Sequence, residues 1–179
     1  SPDRLHGVQQ RRGVVVRTKV KSYLTFVLLA LLAGCSTADL PAEFRPLTTL
    51  SEGNPLGPAA ATTVGSTVYV EDLGDWEGRL GETRVRALLL HEREHSIRQH
   101  EQGVGLWLVH YLTSTSFAWR EERLGWYVQI VTLRDGGEQV NPEGIAKILA
   151  DYKHPMGKLV SYEEALAWVR DVLSGAWKP

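Results

Sequence analysis

The stretch Arg84–Gln99, RVRALLLHEREHSIRQ, constrains this chain more than any other. No proline or glycine interrupts Thr83 to Gln102, and Val85, Ala87, Leu88, Leu89 and Leu90 favour a buried helix. With ~3.6 residues per turn, His91 and His95 project from one helical face, one turn apart. That spacing lets two imidazoles reach one metal ion, and Glu92 sits beside them, placed to take a proton from a water. His91-Glu92-Arg93-Glu94-His95 is thus an H-E-x-x-H sequence. It needs a third protein ligand before it forms a catalytic zinc site.

The 179 residues are enough for one domain with a real core, and an apolar fraction of 43% is globular. Net charge is −1, but unevenly spread: residues 1–34 hold six of the 20 Lys/Arg and one of the 21 Asp/Glu, leaving 35–179 at −6. An acidic body argues against nucleic acid as a partner. The single cysteine, Cys35, excludes an internal disulfide and a cysteine-rich zinc site.

Arg17, Lys19 and Lys21 precede the apolar run Tyr23–Leu32, which ends in Leu32-Ala33-Gly34-Cys35. The run is too short to cross a ~30 Å hydrocarbon core and suits a signal segment. It resembles a bacterial lipoprotein signal with its L-A-G-C lipobox. The resemblance implies cleavage before Cys35, lipid on that residue, and attachment to the bacterial envelope facing the periplasm or exterior. Residues 1–13 fit neither part, and the expected start of translation is near Val14–Val16, from a non-AUG codon. The domain plan is therefore 1–34 upstream residues and signal, 35–61 a lipid-anchored flexible tether rich in Pro, Gly, Ser and Thr, and 62–179 the functional domain.

Within that domain, Thr62–Glu71 alternates apolar and polar residues and reads as a strand at a sheet edge, where Val68–Val70 would align an extended peptide. Trp76, in the connector that follows, reads as a core plug. The motif helix spans about Glu82 to Gln102. A very apolar helix covers Leu106–Leu112, and a third, Phe117–Leu133, follows the polar junction Thr113-Ser114-Thr115-Ser116, which offers an N-cap. Asn141-Pro142 opens a fourth helix, to about Tyr152. Ser161 and Glu164 form a capping box for a last one, Tyr162–Leu173, closed by Gly175. The expected class is α+β, with about five helices and a small sheet.

Glu121 and Glu122, in the apolar third helix, are the candidates for the remaining ligand, since a lone buried carboxylate is costly unless paired or bound to metal. Periodicity does not separate them. His110 and Tyr111 on the second helix, and Tyr127 on the third, are further candidates for stabilising an oxyanion or touching substrate. LLLHEREHSIRQ, WLVHYL and FAWREERLGWYVQI together resemble the gluzincin-type zinc metallopeptidases over about Thr83–Leu133. In compact members the second zinc helix carries a Glu, a small residue three on and an aromatic four on. Glu122, Gly125 and Trp126 match this pattern. Glu121 would put Leu124 at the small position. The resemblance implies one catalytic Zn²⁺ on His91, His95 and Glu122, with Glu92 as general base and a peptide or protein as substrate. The alternative is a non-catalytic, metal-binding or structural envelope lipoprotein.

Overall fold

The computed structural model describes residues 37–53, 61–71, 78 and 80–179. All of them belong to one unit, Cys35–Pro179. The expected signal segment, Cys35 and Trp76 lie outside the described residues. The class is α+β: a four-stranded mixed sheet and, among the described residues, five α-helices.

The strands are β1 (Thr37–Asp39), β2 (Thr49–Glu52), β3 (Ala61–Val64) and β4 (Thr67–Val70), in the order β1-β2-β4-β3. β1 pairs antiparallel with β2, and β2 parallel with β4, Leu50 opposite Val68. β3 and β4 form a hairpin that turns at Gly65-Ser66, with Gly65 at φ +60° in the left-handed region that glycine adopts without strain. Two expectations are corrected here. The first half of the expected tether is folded: Phe44, on a short 3₁₀ turn (Ala42–Phe44), Leu47 and Leu50 are buried and join the sheet's core. Three large apolar residues outweigh a composition that otherwise reads as a linker. The expected single edge strand is the hairpin, and Val68–Val70 lies inside the sheet between β2 and β3. Both of its edges are paired, so it has no free edge for a peptide.

The helices are α1 (Glu82–Gln102), α2 (Val104–Thr113), α3 (Thr115–Asp135), α4 (Pro142–Ala150) and α5 (Tyr162–Ser174). Their ends follow local chemistry. Ser114 accepts from Phe117 N and Asn141 from Gly144 N, and Ser161 with Glu164 closes a reciprocal capping box. Gly175, left-handed at φ +79°, ends α5. α2 is apolar yet buries only Trp107 fully, and Leu106 and Val109 are exposed. No described helix is long and apolar enough to cross a membrane.

Two apolar cores result. One joins the sheet to the first half of α1 through Val68, Val70, Val85 and Leu89. The other joins α3, α4 and α5 through Ile130, Leu149, Trp168 and Val169. Between them α1 changes character: its second half buries His91, Glu92, His95, Ser96 and Gln99. Gln99 and Ser96 bind that half to the hairpin. Gln99 donates to Thr63 O (3.0 Å) and accepts from Gly65 N (2.7 Å), and Ser96 donates to Gly65 O (2.6 Å). One of the groups they use, Thr63 O, belongs to β3 and the other two to the turn at Gly65, so α1 clasps the end of the hairpin.

Candidate metal centre

α1 and α3 pack side by side and bring three side chains to one spot. The ligand atoms of His91, His95 and Glu122 all lie within 4.8 Å of one another. The two Nε2 atoms face each other at 3.0 Å. Glu122 Oε2 is 3.7 Å from His91 Nε2, and Oε1 is 3.7 Å from His95 Nε2. Ligand atoms set tetrahedrally ~2.0–2.1 Å from one Zn²⁺ stand ~3.3–3.4 Å apart, a value these separations bracket.

The donor chemistry fits as well. Burial lowers His91 from the ordinary imidazole value to about 4, with Arg98 adding to the effect and the Gln129 hydrogen bond opposing it. His95 is held well below its ordinary value by burial, then by His91 and Arg98. Both rings are therefore neutral near pH 7, with a lone pair to offer. Gln129 Oε1, 2.9 Å from His91 Nδ1, accepts its hydrogen and leaves the Nε2 lone pair pointing inward. His95 Nδ1 is buried with no partner, so nothing ties its tautomer. Burial pushes Glu122 up to about 7, with the Glu121 charge adding to the rise, against the Tyr111 hydrogen bond and the nearby polar groups of Tyr152 and Trp126, which favour its charged form. Three neutral or near-neutral donors held together out of water are what a cation would relieve.

Gly125 makes this approach of the helices feasible. A Cβ there would stand 2.6 Å from both Cδ2 and Nε2 of His91. Gly125→Ala should push the imidazole off its position and weaken zinc binding by at least the ~10–100-fold seen when supporting groups of a metal ligand are lost. Overpacking should cost about 1–3 kcal/mol in stability. Competition with a chromophoric chelator and a thermal melt read the two effects.

Glu92 is buried one residue along, against Thr63 of β3. Burial raises its carboxyl to about 8, Glu122 adds to the rise, and the polar groups of Thr63 oppose it.

The other sequence candidates divide. Glu121 turns away from the histidines: it pairs with Arg98 and accepts from Trp107 Nε1 at 3.1 Å, joining α1, α2 and α3. Tyr111 reaches the centre and donates to Glu122. His110 is exposed, against the Phe117 ring, and Tyr127 packs on Trp177 in the second core; neither is brought to the site. Gln129 and Tyr152 are the residues that sequence reading missed. Gln129 falls on the α3 face that carries Glu122, two turns on, a signal available from spacing. Tyr152, beyond α4, has no such signal.

No protein-family model, no curated protein and no solved structure matches this chain.

Proposed function

We propose that this chain is a zinc-dependent peptidase, held at the bacterial envelope by lipid on Cys35. The observation that carries the chemistry is the meeting of His91, His95 and Glu122 at one buried spot, with Glu92 buried one residue along the same helix. His91 Nε2, His95 Nε2 and a Glu122 oxygen would hold the ion. Zinc, when bound, supplies a Lewis acid and brings the pKa of a water toward ~7.

The protein's own part is proton transfer and exclusion of solvent. Glu92 accepts a proton as the water oxygen adds to the scissile carbonyl carbon. It returns that proton to the amide nitrogen as the C–N bond breaks. A carboxyl whose proton affinity is raised toward neutrality by burial suits a group that must both take and return a proton. Peptide as the substrate class is supported by the resemblance of Thr83–Leu133 to gluzincin-type peptidases, and the envelope by the LAGC sequence at 32–35.

Incubation with a mixed peptide library tests the activity. Cleavage should appear, vanish with a zinc chelator and return when zinc is restored. Cleavage that survives the chelator would remove the metal from the account. Radiolabelled palmitate fed to an expressing bacterium tests the anchor, with label on the wild-type chain and none on Cys35→Ser; equal labelling of both would contradict it.

One observation favours the alternative, a non-catalytic metal-binding lipoprotein: none of His91, Glu92, His95 and Glu122 is more than 6% exposed. A purely structural site has no use for a general base, so Glu92 separates the two readings.

A further inference from the structure

The segment that follows α4 reaches across to the candidate metal centre and grips one residue of it at two places. Tyr111 lies near the end of α2, where the last carbonyls of a helix lack intrahelical partners. His154 Nε2 donates to the Tyr111 carbonyl at 2.5 Å, and His154 Nδ1 in turn accepts from Met156 N at 3.1 Å. Two residues earlier, the Tyr152 hydroxyl is 3.1 Å from the Tyr111 hydroxyl. The Tyr111 ring also stacks on Trp107, centroids 4.7 Å apart.

Hydrogen accounting sets the direction of this contact. A phenol has one hydrogen to give. Tyr111 gives its own to Glu122 Oε1. Tyr152 must therefore be the donor between the two phenols, or donate to the carboxylate itself. The Tyr111 hydrogen reaches Oε1, with the Tyr152 hydroxyl behind it against the Tyr111 oxygen.

Which oxygen they occupy matters. Glu122 presents both oxygens to the histidines at the same 3.7 Å, Oε2 to His91 and Oε1 to His95. A carboxylate with both oxygens turned toward the histidines could offer a cation one oxygen or both. The phenol on Oε1 leaves Oε2 as the better donor and keeps one coordination position for water. We propose that Tyr152 is a positioning residue of the metal centre, which with Tyr111 restricts Glu122 to a single ligating oxygen. This rests on the metal-hydrolase reading above, and it makes the segment after α4 part of the active centre.

Cobalt(II) tests it, because its visible bands are strong in a four-coordinate site and weaken and shift when a fifth ligand atom enters. The full chain loaded with cobalt should show the four-coordinate spectrum. Tyr152→Phe, which removes one hydroxyl and keeps the ring, should still bind cobalt but shift toward the five-coordinate spectrum. Its zinc affinity should fall by about 10–100-fold, the range for groups that support a ligand. Tyr111→Phe should shift the bands at least as far, and it decides the matter if Tyr152→Phe does not fold. Unshifted bands in a folded variant would overturn the positioning role while leaving the metal centre standing. Failure of the unsubstituted chain to bind cobalt or zinc would overturn the metal centre, and this inference with it.

Discussion

Glu92→Gln should abolish peptide hydrolysis while leaving zinc content at the wild-type level. A positioned general base contributes ~10²–10⁴-fold, so turnover should fall by at least that factor. The amide matches the carboxylate in size and cannot accept the proton. Glu92 is not among the three residues whose ligand atoms converge, so the metal should stay. The amide also keeps the size and polarity of the buried side chain, so the fold should change little. Paired assays of turnover and metal content check this. A variant that retains wild-type turnover would show that Glu92 moves no proton, and would favour the non-catalytic reading.

The second large effect separates two adjacent glutamates. Glu122→Ala should lose zinc and keep a folded chain. Glu121→Ala should do the reverse: Arg98 and Trp107 lose their buried acceptor, and removing one partner of a buried ion pair typically costs about 3–5 kcal/mol. Part of that penalty should be offset by Glu94, which also bonds Arg98 at 3.1 Å and is less buried. Chemical denaturation alongside metal analysis reads both variants. Zinc lost from Glu121→Ala at temperatures where it is still folded would reverse the assignment.

Where local rules are strong, the sequence was informative. α1 begins and ends where the uninterrupted run and Gly103 predict, and α3, α4 and α5 start at side-chain caps that are visible as residues. The choice between Glu121 and Glu122 lay beyond periodicity, since both are buried. The small residue at 125 carried the distinction, and the His91 ring against it supplies a physical reason. β2 is not legible in the sequence because a four-residue strand beside prolines has no periodic signal of its own, and Thr49 pairs with Thr67, 18 residues away. For the same reason β4 reads as an edge from sequence alone. Tyr152 was invisible because its role is set by how the segment after α4 folds back on α2, a long-range contact that spacing does not encode.

Zinc content, measured by mass spectrometry on the purified chain and on Glu122→Ala, tests the central claim most directly. The account predicts one zinc per wild-type chain, lost or sharply weakened in the variant. A wild-type chain that takes up no zinc when the metal is supplied in excess would contradict it, and His91, His95 and Glu122 would then be only a buried polar cluster between two cores.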